Sequence, residues 1–214
     1  SGTDNLDGTW TLAPSQLAGL TITPPADSSD DFSLTVTATA TDTDPDTGEQ
    51  TTATTTETIN VTVDAVADAP DMTVSDASGA EDAAIALNIS PSVTDTDGSE
   101  AITSIEISGV PTGATLSAGT DNGNGTWTLT PDQLAGLTID PPADSGDDFS
   151  LTVTATATDT DPETGEQSTA TTTDTIAVTV DAVADAPTLS VSLGDGVPVD
   201  TGFIVENVGH ASAG

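Results

Sequence analysis

The chain has 214 residues and contains no lysine and no arginine, but it carries 36 aspartates and glutamates, for a formal net charge of −36. Binding to the phosphate backbone of a nucleic acid depends on lysine and arginine, so nucleic acid is excluded as a partner. A folded chain of this charge repels itself strongly, and clustered carboxylate oxygens are the ligands that Ca²⁺ prefers. The acidity therefore predicts that calcium takes part in stabilising the fold.

Cysteine and tyrosine are also absent, there is one histidine, and aromatic residues make up 2% of the chain. Disulfides, thiolate metal sites and cysteine nucleophiles are thus excluded. Few side chains remain that could orient a substrate, so we do not expect an enzyme. No apolar run reaches the roughly 18–20 residues that span a bilayer, which argues against direct membrane insertion, and any export signal is expected outside this sequence.

The sequence repeats itself. Residues 1–70 match residues 118–187 at a constant offset of 117, with 59 of 70 positions identical and no insertion. Self-similarity at a fixed period is the signature of a tandem array. We therefore interpret residues 1–70 as the C-terminal part of one repeat, 71–187 as a complete repeat, and 188–214 as the start of a diverged domain or a tail.

Apolar residues alternate with threonine, as in the segment that begins FSLTVTATA at residue 149. A period of two predicts half-buried strands. About seven such strands, separated by turns rich in proline and glycine, predict an all-β fold of tandem immunoglobulin-like sandwiches. PDQLAGL is expected to form at most one helical turn, and Trp10 and Trp127 are expected in the core. The VDAVADAP segments at the repeat junctions favour a string of domains, because proline keeps them extended.

Acidic residues cluster at the end of the predicted FSLTVTATA strand in both copies: Asp42, Asp44, Asp46 and Glu49, repeated as Asp159, Asp161, Glu163 and Glu166. Carboxylates this close repel one another unless a cation lies between them. The spacing resembles the opening of a calcium loop but is not that of an EF-hand. The alternative is a solvated acidic turn.

Two further clusters lie near the repeat junctions. One comprises Glu81, Asp82, Asp95, Asp97 and Glu100; the other comprises the junction residues Asp64, Asp68, Asp181 and Asp185. A junction aspartate, a glutamate on the first strand and a DxD loop could close a calcium ion between two domains; the alternative is hydration and turn capping. A fourth set is interpreted as a negatively charged turn, with a calcium site as the alternative: Asp27, Asp30, Asp31, Asp144, Asp147 and Asp148.

The order of motifs EDAAI, DTDGSE, GVPTGATLS, NGTWTL, QLAGLTI, FSLTVTATATD and VDAVADAP resembles the tandem immunoglobulin-like extender repeats of bacterial RTX adhesins, which are loosely cadherin-like. The resemblance covers residues 1 to about 190. It implies secreted, calcium-stabilised sandwiches that hold a distal binding domain away from the bacterial cell surface, with neighbouring repeats as their main partners. The C-terminal glycine-rich calcium repeats of that family are absent from this sequence.

Two other functions stay open at this point. One is a subunit of a self-assembling surface filament or surface layer, and the other is a module that binds a sugar or a protein. The partial first repeat favours the filament, because its apolar strand residues Phe32, Leu34, Val36 and Ile59 would face water. A preceding repeat in a longer chain, which we favour, could cover them, or the first segment could be disordered. Alternatively, another copy could donate its tail, in which the candidate strand residues are Leu189, Val191, Phe203, Ile204 and Val205.

Overall fold

The structure, a computed structural model, describes residues 2–95 and 97–187. The tail residues named above, and residues 188–214 as a whole, lie outside the described residues. By its contacts the chain separates into a unit that ends at Val183 and a second unit that begins at Ala184. No helix in the described residues is long and apolar enough to cross a membrane.

The described residues form an all-β structure with two one-turn 3-10 helices, at Pro14–Gln16 and Pro131–Leu134. The partial first repeat contains β1 (Thr3–Asp4), β2 (Trp10–Thr11), β3 (Phe32–Thr43) and β4 (Gln50–Val61). The complete repeat contains β5 (Asp71–Ser75), β6 (Ala77–Ala80), β7 (Ile85–Ala86), β8 (Asn88–Ser92), β9 (Glu100–Ser108), β10 (Thr115–Leu116), β11 (Thr120–Asp121), β12 (Thr126–Leu129), β13 (Thr138–Asp140), β14 (Phe149–Thr160) and β15 (Gln167–Asp181). These are more strands than the expected seven, because several are pairings of only two residues.

The complete repeat is built from a six-stranded sheet in the order β11-β12-β9-β14-β15-β6, together with the smaller sheets β10-β13-β7 and β5-β8. All pairings are antiparallel except that of β15 with β6. The core draws on both layers: Ile105, Ile107, Leu151, Val153 and Ile176 come from the large sheet, and Ile85, Leu87, Leu137 and Ile139 from the opposing side. This sandwich-like arrangement confirms the all-β prediction.

The predicted period of two is confirmed on β14. Leu151, Val153 and Ala155 are completely buried, whereas the threonines between them are partly exposed. Threonines also face one another across β14 and β15, and Thr154 and Thr173 share a hydroxyl hydrogen bond of 3.2 Å. Branched side chains suit this pleated surface. The one-turn helix expected at PDQLAGL is confirmed as well.

The partial first repeat keeps the hairpin but not the sandwich. β3 pairs with β4 over all twelve residues of each strand and with no other described strand. Val36 and Ile59 are 46% and 51% exposed, although their counterparts Val153 and Ile176 are fully buried. The expectation of an uncovered apolar face is thus confirmed for Val36 and Ile59, whereas Phe32 and Leu34 are partly buried. Trp127 packs against the core as predicted, but Trp10 is 58% exposed, because among the described strands β2 pairs only with β1.

Candidate metal centre

Four acidic side chains are buried near the end of the complete repeat that faces the preceding junction: Asp95, Glu100, Asp159 and Asp161. Glu100 begins β9, and Asp159 lies directly opposite it on β14 in the antiparallel register. The sheet therefore brings residues 59 positions apart in sequence to neighbouring places. Buried carboxylates normally need a paired charge, and this chain has no lysine or arginine to supply one.

The linker of the preceding repeat is attached to this end through its backbone. The Val66 N–H donates to Asp159 Oδ2 at 3.0 Å, and the Asp68 N–H donates to Glu100 Oε1 at 2.8 Å. The remaining oxygens, Asp159 Oδ1 and Glu100 Oε2, are buried without a hydrogen-bond partner. A buried acceptor without a partner is destabilising. Two unpartnered carboxylate oxygens on adjacent strands are suitable ligands for a hard cation such as Ca²⁺.

The surroundings of Glu100 make its ionised form unfavourable. Its burial raises the pKa of the Glu100 carboxyl, the Asp68 N–H partly opposes that change, and the charges of Asp95 and Asp68 raise the pKa further. A raised pKa means that the contribution of Glu100 to stability is present in acid and is lost as the pH rises through the folded-state pKa. A cation beside Glu100 would instead lower the pKa of its carboxyl, because it favours the ionised form. The ionised Glu100 would then stabilise the folded state at neutral pH.

Asp161 organises the loop between β14 and β15 by accepting backbone N–H groups. Asp161 Oδ1 accepts the N–H groups of Glu163 at 2.8 Å and Thr164 at 2.7 Å, and these backbone amides lower the pKa of Asp161, the Thr164 amide most. Asp44 makes the same two contacts in the first repeat, and its pKa is lowered likewise. In the clusters that contain Asp44 and Asp161, backbone amides therefore offset part of the repulsion between neighbouring carboxylates. The other acidic residues of these loops are exposed: Asp42, Asp46, Glu49, Glu163 and Glu166.

The DTDGSE loop is organised in a similar way. Asp95 Oδ1 accepts the Asp97 N–H at 2.8 Å, and Asp97 Oδ1 accepts both the N–H and the hydroxyl of Ser99. The Ser99 hydroxyl is the main reason why the pKa of Asp97 is lowered. Asp97 is exposed and serves its own turn, whereas the buried Asp95 carries the charge that acts on Glu100. The two aspartates of this motif thus have different surroundings.

The structure separates one predicted group. Glu81 follows β6, which pairs with the last residues of β15, and the Glu81 N–H donates to the Asp181 carbonyl at 3.1 Å. Ser168, opposite Asp159, lies near the other end of the same strand, so the two ends are about 40 Å apart at ~3.3 Å per residue. Glu81 and Asp82 therefore do not join Asp95, Asp97 and Glu100 of their own repeat. The parallel β6–β15 pairing, which the sequence did not reveal, is the reason.

At this far end Glu81 is buried and its Oε1 accepts the Val183 N–H at 2.6 Å. Asp82 and Asp181 are exposed beside it, and so is Asp64 in the first junction. Asp185 belongs to the second unit. In the described residues, no three acidic or histidine side chains are arranged so that they could hold an ion as they stand. A bound ion would thus require carboxylates to turn toward it.

One structural role was missed by sequence reasoning. Asp148 Oδ1 accepts the Val180 N–H at 2.9 Å, and in the first repeat Asp31 Oδ1 accepts the Val63 N–H at 2.8 Å. Each aspartate thus fastens the start of one long strand to the end of its partner. The predicted charged turn does exist nearby, where Asp144 has a φ of 56°. The sequence offered one indication of this role, namely that Asp31 recurs as Asp148 at the repeat offset. A charged turn accounts for that recurrence equally well.

This contact gives a testable prediction. Asp148→Ala leaves the partly buried Val180 N–H without its acceptor, so we expect the free energy of unfolding to fall by about 1–3 kcal/mol. Asp148→Asn keeps an acceptor oxygen and should lose less. Asp147→Ala is the matched control, because Asp147 is exposed and, within the described residues, its carboxylate accepts a single long hydrogen bond, from the Ser145 hydroxyl at 3.5 Å. Urea unfolding measures all three, and equal losses for Asp147→Ala and Asp148→Ala would refute the role of this contact.

No protein-family model matches the chain, and neither a curated protein nor a solved structure matches it.

Proposed function

We propose that this protein is a calcium-stabilised structural extender from an extracellular bacterial adhesin, in which immunoglobulin-like sandwiches project a distal binding domain from the cell surface. One observation carries the proposal. The linker amides of Val66 and Asp68 hold Asp159 and Glu100 of the next repeat, and these two carboxylates keep one buried, unpartnered oxygen each. A cation at this place would join a linker to the domain that follows it.

Asp159 and Glu100 would hold the calcium ion, with Asp95, Asp161 and the Asp68 carboxylate as further ligands. The ion would supply the positive charge that the chain itself lacks. Because the linker is attached to the same carboxylates, ion binding would also restrict bending at the junction. A repeat array of this type behaves as a sum of domains and interfaces, so its reach would depend on calcium at each junction.

Glu81 supports the proposal from the other end of the repeat. In a tandem array, the end that carries Glu81 and Asp181 comes before the next linker, and the end that carries Asp159 and Glu100 comes after it. The Val183 N–H donates to Glu81 of its own repeat, whereas its repeat counterpart, the Val66 N–H, donates to Asp159 of the following repeat. In an array, these two carboxylates would therefore meet at the same linker amide, one from each side, and compete for it. Acidic groups from both sides therefore stand at each junction, as expected for an ion that bridges two domains.

Small-angle scattering of an array of complete repeats tests this function. Asp68→Ala retains the backbone N–H but removes the carboxylate, and Glu81→Ala removes the acceptor of the Val183 N–H. In calcium, we expect either change at each junction to shorten the maximum dimension, because the array bends more, while every sandwich stays folded. Asp132→Ala, at the start of the second 3-10 helix, is the control. Unchanged dimensions in both junction variants would contradict the extender model.

A second candidate function is a self-assembling surface filament. The uncovered apolar residues of β3 and β4 favour it, because such a face is suited to accept a strand from another copy. Sedimentation of the chain in calcium separates the two functions. A monomer at high concentration supports the extender, and head-to-tail polymers support the filament.

A further inference from the structure

The bend between β11 and β12 contains two asparagine–glycine pairs in succession, Asn122-Gly123 and Asn124-Gly125. Both asparagines are exposed. In such a pair the backbone nitrogen of the glycine can attack the side-chain carbonyl carbon of the asparagine, because glycine has no Cβ to block the approach. The fold places the two pairs in different surroundings, and this difference predicts that they react at different rates.

The first pair is held at both of its reacting groups. The Asn122 side-chain amide donates to the hydroxyls of Thr126 at 3.2 Å and Thr128 at 3.0 Å. The Gly123 N–H donates to Asp121 Oδ1 at 2.8 Å. Attack by the Gly123 nitrogen would break the bond to Asp121, and departure of the amide nitrogen would break the other two. The fold therefore protects this pair.

The second pair is free at the same two groups. Within the described residues, neither the Gly125 N–H nor the Asn124 amide nitrogen donates a hydrogen bond. The Thr126 hydroxyl donates to Asn124 Oδ1 at 2.5 Å, and its proton is available for this bond because its oxygen accepts the Asn122 amide. A donor at a carbonyl oxygen stabilises the negative charge that develops there when a nucleophile adds to the carbon. The fold therefore activates this pair.

The first repeat has an aspartate where the second has the activated asparagine. Asp7 corresponds to Asn124 at the repeat offset, and its Oδ1 accepts the Thr9 hydroxyl at 2.6 Å and the Thr9 N–H at 3.0 Å. Asn5 donates to the Thr9 hydroxyl at 2.9 Å, the contact that its counterpart makes in the second repeat. The Thr9 hydroxyl is the main reason why the pKa of Asp7 is lowered. The bend thus accommodates an ionised carboxylate with the same contacts.

We propose that Asn124-Gly125 is a self-modification site, at which the carboxamide of Asn124 is converted to a carboxylate. The Gly125 nitrogen loses its proton to hydroxide and forms a bond to Asn124 Cγ. The Cγ–Nδ2 bond breaks, and the departing nitrogen takes a proton from water and leaves as ammonia. The succinimide that remains takes up a water molecule, which opens either of its C–N bonds to give aspartate or isoaspartate.

This conversion consumes only water and does not depend on calcium binding. It adds a negative charge at the bend, as Asp7 does in the first repeat. Because ammonia is lost, the step is irreversible, so the converted fraction rises with the age of the protein. The bend of each complete repeat is therefore a slow chemical record of time since synthesis.

The test incubates the full chain in mildly alkaline buffer made with water enriched in the heavy isotope of oxygen. Chymotrypsin, which cleaves after Leu116 and Trp127, then yields a peptide that contains both pairs. Fragmentation mass spectrometry assigns the incorporated label to Asn122 or Asn124. We expect Asn124 to react about tenfold faster than Asn122 in the folded chain, and the two rates to become equal when the chain is unfolded in urea.

Variants of the two controlling groups are the matched controls. Thr126→Val removes the hydroxyl with little change of shape, so Asn124 should slow on the order of tenfold, whereas Thr126→Ser should restore the rate. Asp121→Ala frees the Gly123 N–H, so Asn122 should react faster while Asn124 is unchanged. Equal rates at Asn122 and Asn124 in the folded chain, or an Asn124 rate that Thr126→Val leaves unchanged, would overturn the proposal.

Discussion

Thermal unfolding of the chain should move to a markedly higher temperature when millimolar Ca²⁺ replaces excess chelator. An ion that binds only the folded state stabilises it by about 2.7 kcal/mol at one hundred times its Kd. For domains of this size, such a gain raises Tm on the order of 10 °C. The physical source is the neutralisation of buried carboxylates, above all Asp159 and Glu100, for which the chain has no lysine or arginine.

General screening of the −36 charge could also raise Tm, so the comparison needs a salt control. Sodium chloride at the same ionic strength as the calcium buffer reduces self-repulsion without offering a divalent ion. We expect it to reproduce only a small part of the shift. A change of less than a few degrees between calcium and chelator, or an equal shift in sodium chloride, would refute calcium as a specific stabiliser of the fold.

Glu100→Gln should change stability in opposite directions with and without calcium. In chelator at neutral pH, the substitution removes a buried charge beside Asp95 and keeps an oxygen that can accept the Asp68 N–H, so Tm should rise. In calcium the variant lacks a charged ligand, so Tm should fall below that of the unmodified chain. This reversal follows from the raised pKa of Glu100, which marks the ionised form as unfavourable until a cation is present.

Glu106→Gln is the matched control for this reversal. Glu106 lies on the same strand, β9, but is exposed, so its substitution should change Tm little in either buffer. Differential scanning calorimetry in calcium and in chelator gives all four comparisons. If Glu100→Gln lowers Tm equally in both buffers, its role is structural and the ion is not held there.

The fold was largely predictable because one side of the long strands β9 and β14 is buried. The alternation of Leu151, Val153 and Ala155 with threonine fixes both the strand and its inner face. The repeat offset then extends the prediction to β3 and β4. The exposure of Trp10 could not be deduced from the pattern of its own strand, because that pattern is the same as the one around Trp127. It depends on which other strands are present.

The candidate site was predictable in composition but not in arrangement. Glu100 and Asp159 are neighbours because β9 pairs with β14. The sequence of a strand does not by itself predict which other strand it pairs with. Glu81 was grouped with Glu100 by proximity in sequence, yet the parallel pairing of β6 with β15 places it at the other end. The linker contacts were not predictable either, since their donors are the backbone amides of Val66 and Asp68.

Isothermal titration of Ca²⁺ into the calcium-free chain, compared with an Asp159→Asn, Glu100→Gln double variant, tests the central claim most directly. The variant keeps the size of both side chains but removes their charges. The account predicts saturable binding to the unmodified chain and at least one fewer ion per molecule in the variant. Equal stoichiometry and affinity in the two proteins, or no saturable binding to either, would contradict it.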